Sequence, residues 1–162
     1  MYLSFEEMPK SSRIWIYQSD RPFSEQEKTL IIAKLVAFCN QWHTHGTNMP
    51  SSFDLQYDQF IILAVDESGL GASGCSIDSS IRILREIESE LNVNLLDSGK
   101  ISYLCEDQVK VAFLPDIKKH ILQGQLQKES DVFNPSVNTI ADLEENWLIP
   151  ARDSWLKRYF AQ

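Results

Sequence analysis

The sequence predicts an α+β sandwich, one domain over 1–162, and three observations lead there. Apolar runs of strand length and two stretches of helical periodicity follow one another in the order β-α-β-β-α-β-β. Four of the five strands fall into two hairpins joined by short polar turns. The first helix opens on a capping box, so its start is marked independently of its periodicity. A chain of 162 residues can bury roughly two-thirds of its unfolded surface, enough for a core of its own.

Taken in order, residues 1–12 read as an N-terminal extension, and "RIWIY" from Arg13 to Tyr17 as a strand that "SDRP" closes. Ser24 with Glu27 three residues on starts a helix, whose apolar face is Ile31, Leu35, Phe38, Cys39 and Trp42. His45-Gly46 is expected to end it, histidine near the C-terminus and glycine after. "SFDLQYDQFIILAVDE" predicts a hairpin turning near Tyr57-Asp58-Gln59, with "FIILAV" apolar throughout as in a strand covered on both faces. After the loop "ESGLGASGC", a second helix is expected from about Ser76 to Leu91, with Ile77, Ile81, Leu84, Ile87 and Leu91 on one side. "ISYLC" and "QVKVAFL" predict a second hairpin turning at Glu106-Asp107, and Pro115-Asp116 starts a short helix, "DIKKHILQ". Residues 124–162 read as a polar connector and two short docking helices divided at Pro150.

The first six elements match the split β-α-β, or ferredoxin-like, arrangement. Right-handed crossovers would set strands one and three in the centre of one sheet. Strand three would then run antiparallel to strand one. The loop after strand three would open beside the end of the first helix and place Cys75 near Trp42, His43 and His45.

Composition narrows the functions. Hydrophobic residues make up 43% and charged residues 23%, an ordinary globular balance. A net charge of −8 argues against nucleic acid as a partner, and nine acids between Asp66 and Asp107 face only Arg82, Arg85 and Lys100. No apolar run approaches the ~20 residues that span a bilayer, so no membrane insertion is expected. The N-terminal residues are acidic rather than basic and lead into no apolar run, which with three unpaired-looking cysteines points to a cytoplasmic protein with free thiols.

Candidate chemistry gathers in the loop. Cys75 stands where the second helix should begin, so the positive end of the helix dipole favours its thiolate, with Ser76 or Asp78 as N-cap. His43 or His45 would act as base and Asp66 or Glu67 would orient the imidazole, while Gly74, Ser76, Asp78 and Glu67 would line a ligand site. The competing reading is a small cysteine packed under the loop. Gly69, Gly71 and Gly74 have the formal G-x-G-x-x-G spacing, with Asp97 after "NVNLL" in place of the ribose acid. Three residues separate the strand from the first glycine, however, and Asp66 and Glu67 would repel a pyrophosphate. The bland alternative is a loop in which glycine visits positive φ. Cys39, His43 and His45 lie close in sequence but lack a second ligand pair, so no metal and no cofactor are expected. His120, beside Lys119, reads as an exposed histidine. In the tail, Trp155 and Tyr159 lie four apart, either docking on the protein's own core or forming an interface with a partner or a second subunit in a homo-oligomer.

"QWHTHG", "FIILAVDES", "ASGCSIDSS", "VFNPSVNTIADLE" and "WLIPARDSWLKRYF" together make the chain resemble a family of small uncharacterised bacterial proteins often labelled "ABC transporter ATPase". The likeness runs from Arg13 onward and implies no established activity. An ATPase of that kind would need a Walker A loop, G-x-x-x-x-G-K-[ST], and the sequence contains none. No catalytic constellation is complete in the sequence. The expected function is therefore a non-catalytic domain binding a protein or small molecule, with a thiol-dependent enzyme or redox-sensitive protein using Cys75 as the alternative.

Overall fold

The computed structural model describes residues 1–69 and 71–160, and its mixture of helices and antiparallel sheets makes the fold α+β. The chain forms two compact units, residues 1–96 with 138–141, and residues 97–137 with 142–162.

In the first unit, β1 (Arg13–Gln18) is followed by α1 (Glu25–Gln41), a short hairpin of β2 (His43–Thr44) and β3 (Thr47–Asn48), then β4 (Ser51–Gln56), β5 (Phe60–Val65) and α2 (Gly74–Leu91). The sheet has the order β1-β5-β4, antiparallel throughout. β5 is central, and all six of its residues are buried, as its unbroken apolar run requires. α1 and α2 pack Ile31, Leu35, Cys39, Leu84 and Ile87 into one core with Ile61, Leu63 and Val65. The capping box at Ser24 and Glu27 forms in both directions. Glu27 also takes a two-pronged bond from Arg21, at 2.9 and 2.8 Å, and the guanidinium holds its carboxyl down at about 2.

The single ferredoxin-like sheet expected from the element order is not what these strands form. β1 lies at an edge rather than in the centre, and no fourth strand from the region after α2 joins it. Two local features explain this. After Asn92 (φ 53) closes α2 in the left-handed conformation, the chain meets only the end of β1, through the Asp20 N–H to the Asn94 carbonyl at 3.2 Å. The free edge of β1 is taken instead by residues 138–140, through Ile14 N–H to the Asn138 carbonyl and Ile140 N–H to the Ser12 carbonyl. An occupied edge cannot accept another strand.

Other expectations shift by a few residues. α1 ends at Gln41 with Trp42 as its C-cap, so His45-Gly46 does not terminate the helix. His45 (φ 49) and Gly46 (φ 77) form the two-residue turn between β2 and β3, where two positive φ values match the strand twist. α2 begins at Gly74, and its cap is Ser73 rather than Ser76 or Asp78. The hairpin turn near Tyr57-Asp58-Gln59 stands where it was expected, with Tyr57 and Asp58 at φ 54 and 55.

The second unit is built on β6 (Lys100–Cys105) and β7 (Gln108–Phe113), joined by a turn at Glu106 (φ 53) and Asp107 (φ 64). α3 (Ile117–Leu122) follows, then β8 (Asp131–Phe133) from the polar connector. α4 (Ile140–Asn146) leads into β9 (Leu148–Pro150), and the sheet has the order β7-β6-β8-β9. The expected two docking helices are thus one helix, a strand ending at Pro150, and 3-10 turns at Ala151–Asp153 and Trp155–Tyr159. Its core joins Ile101, Tyr103, Ile117, Leu126, Val132 and Leu156.

Candidate functional site

The loop after β5 does meet the end of α1, as antiparallel pairing of β1 and β5 demanded. Trp42, 1% exposed, donates its indole N–H to the Ser76 carbonyl at 2.8 Å. Buried Thr44 donates its hydroxyl to the Gly71 carbonyl at 3.0 Å and accepts the Ser73 N–H at 3.2 Å. Ser73 caps α2 by accepting the Ser76 N–H, while the buried Ser76 hydroxyl bonds back to the Ser73 carbonyl. Asp66 closes a turn on the Ser68 N–H at 2.9 Å. Glu67 accepts the Ala72 N–H at 3.0 Å and lies 3.5 Å from the Arg13 guanidinium. The polar groups of this corner are thereby turned on its own backbone, beside a cavity of about 320 Å3 between Thr44, Met49, Pro50, Asp66 and Ser68.

The candidate catalytic set is not joined. Cys75 is exposed on the first turn of α2 rather than packed under the loop, and Gly74 and Asp78 are exposed beside it. His43 is exposed with its Nδ1 on the Gln41 carbonyl, and His45 is exposed in its turn. Among the described residues no hydrogen bond links Cys75 to either imidazole, nor either imidazole to Asp66 or Glu67. The glycines carry no dinucleotide-like geometry to argue from: Leu70 lies outside the described residues, and Gly69, Gly71 and Gly74 do not visit the positive φ that was the bland reason for them. Among the described residues, no cluster of three or more histidine, cysteine or acidic side chains could hold a metal ion.

The three thiols separate cleanly by environment. Cys39 is fully buried, and burial pushes its thiol up to about 11. At neutral pH, Cys75 is expected to be alkylated in the native state and Cys39 on the order of a thousand-fold more slowly, because it must wait for unfolding. Peptide mass spectrometry after timed alkylation checks this. Comparable rates for the two would contradict the buried position of Cys39, and a Cys75 rate that fell in His43→Ala or His45→Ala would restore the thiol reading.

The second unit holds a wider cleft that sequence reasoning found only in part. A cavity of about 570 Å3 runs between α3 and the final 3-10 turn, lined by Lys118, Ile121, Leu122, Arg158 and Tyr159. The Arg158 guanidinium lies over both the Trp155 ring, at 5.5 Å, and the Tyr159 ring, at 5.2 Å, and these two rings meet edge to face at 6.3 Å. Leu156 is the residue of this turn that anchors it in the core, which leaves Trp155 41% exposed. Leu122 is 87% exposed at the end of α3. Among the described residues neither Lys118 nor Arg158 has an acidic partner within 4 Å. The legible signal was charge: residues 117–128 carry three lysines and no acid, and residues 154–160 carry Lys157 and Arg158 and no acid, in a chain of net charge −8.

His120 is not the exposed histidine expected. It is half-buried, and its Nδ1 lies 2.6 Å from the hydroxyl of fully buried Tyr103. Burial, reinforced by Cys105, pushes the Tyr103 phenol up to about 12.

No family model, no curated protein and no solved structure matches this chain. No helix among the described residues is long and apolar enough to cross a membrane.

Proposed function

We propose that this chain is a non-catalytic binding domain that docks an acidic segment of a partner protein in the cleft between α3 and the Trp155–Tyr159 turn. One observation carries the reading: two cations without acidic partners, Lys118 and Arg158, border an apolar and aromatic cleft in an otherwise acidic chain. Exposed leucine and aromatic side chains beside arginine are the composition of interface anchors. Arginine held over two rings is already oriented, so less freedom is lost when a carboxylate pairs with it. The corner around Cys75 supports the same reading from the other side, because its polar groups are occupied by backbone rather than set toward a substrate.

A cytoplasmic setting and kinship with the small bacterial proteins that the sequence resembles belong to this proposal. So does a description of the first unit as a ferredoxin-like arrangement lacking its fourth strand. The kinship assigns no chemistry of its own.

A fluorescein-labelled peptide with two glutamates flanking a leucine is the probe. Full-length protein is expected to bind it at low ionic strength, with Arg158→Ala and Leu122→Ala each weakening binding roughly ten-fold, about 1.4 kcal/mol. Both substitutions lie on exposed side chains and should leave the fold intact. If fluorescence anisotropy finds both variants binding like the parent chain, the cleft is not the docking surface.

A further inference from the structure

We infer that the open edge of β4 takes up an extended, basic segment of a partner protein by strand addition. This surface lies in the first unit and is independent of the cleft proposed above. β4 ends the order β1-β5-β4, so one of its sides faces no strand of its own sheet. At its start that side is already used in the manner proposed. The Leu3 N–H donates to the Ser51 carbonyl, the Ser51 N–H donates to the Met1 carbonyl, both at 2.9 Å, and Tyr2 pairs with Ser51 in parallel. Because backbone direction alternates along a strand, Phe53 and Leu55 present their N–H and C=O groups to the same side as Ser51.

Beyond Leu3 the chain turns away into the 3-10 turn Phe5–Glu7, and the pairing stops. What lies along the edge from there is a cleft of about 450 Å3 bordered by Phe53, Asp54 and Leu55. Natural proteins usually block such edges, since unpaired strand backbone recruits further strands. The edge here is left open by a segment that begins to cover it and then departs.

The chemistry of the cleft selects the sign of the occupant. Glu6, Glu25, Asp54 and Asp58 line it, against the one ammonium of Lys28. Lys28 is already shared between Glu25 at 2.7 Å and Asp58 at 2.8 Å. Among the described residues Glu6 and Asp54 have no cationic partner within 4 Å. Burial raises the Asp54 carboxyl above the usual carboxylate range, and a neighbouring cation would relieve that cost. The apolar contribution comes from Ile32, 45% exposed on α1, together with Tyr2 and Phe5. Main-chain bonds along Phe53–Leu55 would supply affinity, and the carboxylates would choose lysine or arginine side chains.

A labelled Lys-Val-Lys-Val-Lys-Val peptide tests this on the whole chain, with circular dichroism to verify the fold of each variant. Binding is expected at low salt. Methylating alternate backbone nitrogens of the peptide should weaken it at least ten-fold without changing its charge, and Glu6→Gln with Asp54→Asn should weaken it about five-fold or more. Absence of binding by the unmethylated peptide overturns the inference. Equal binding of the methylated peptide also overturns it, because adsorption to the acidic surface would then be the whole effect. Unchanged binding by the double variant overturns the choice of this cleft. Micromolar self-association in sedimentation, dispersed by the peptide, would put a second copy of the chain on the edge and overturn the basic-partner assignment.

Discussion

Trp42→Ala is expected to destabilise the first unit by about 3–5 kcal/mol, the range for deleting a large buried aromatic side chain. Trp42 stacks its ring at 4.9 Å from Phe38 and 6.1 Å from Trp15, so the substitution empties the junction of α1 with the sheet. It also removes the one indole bond that holds the start of α2, from Trp42 Nε1 to the Ser76 carbonyl. Trp42→Phe separates the two contributions. It keeps most of the ring and loses the bond, and should cost roughly 1 kcal/mol beyond the lost volume. Amide exchange of Phe60–Val65 in β5 is the appropriate readout, since that strand lies at the centre of the affected sheet. A loss below about 1 kcal/mol for Trp42→Ala would mean that the corner is held without it.

Tyr103→Ala is expected to cost the second unit about 3 kcal/mol or more, because the side chain is fully buried on the central part of its sheet. Tyr103→Phe retains the ring and deletes only the hydroxyl bonded to His120 Nδ1, a loss of about 1 kcal/mol. With the imidazole proton on Nε2, the hydroxyl donates and Nδ1 accepts. The phenol also sets a pH dependence. Its folded pKa of about 12 stands above the ordinary ~10, so the unfolded chain releases that proton first as pH rises. The stability it contributes is fully present below pH ~10 and is lost between there and about 12. Urea unfolding of the second unit, followed by amide exchange in Lys100–Cys105, should show that decline in the parent chain and a smaller one in Tyr103→Phe. Identical alkaline profiles would remove Tyr103 as its source.

Several elements could be read without coordinates, and they share a physical character. The capping box of Ser24 and Glu27, the apolar faces of α1 and α2, and the turns at Tyr57-Asp58 and Glu106-Asp107 are set by interactions within a few residues. β5 was legible because a strand covered on both faces carries an unbroken apolar run. The meeting of Trp42 with the loop before α2 was also foreseen, since it needs only antiparallel β1 and β5.

The site reading fared differently. Cys75 and His43 or His45 come from converging segments, yet convergence of backbones does not fix where side chains turn. His43 faces its own Gln41 carbonyl, and Thr44, one residue on, is the side chain that reaches the loop. The cleft of the second unit was half legible, through Trp155 and Tyr159, but its other wall comes from Lys118 and Leu122, far away in sequence.

Short-range chemistry thus settles where helices and hairpins begin and turn, because caps, periodicity and turn residues act over one to four positions. The pairing of strand edges is a competition among distant segments. Residues 138–140 take the edge of β1, and residues 131–133 give β6 a neighbour other than the first unit's strands. Each edge accepts one partner, and several segments offer similar backbone groups. Only the packed tertiary structure decides which of them arrives, and with it which side chains share a cleft.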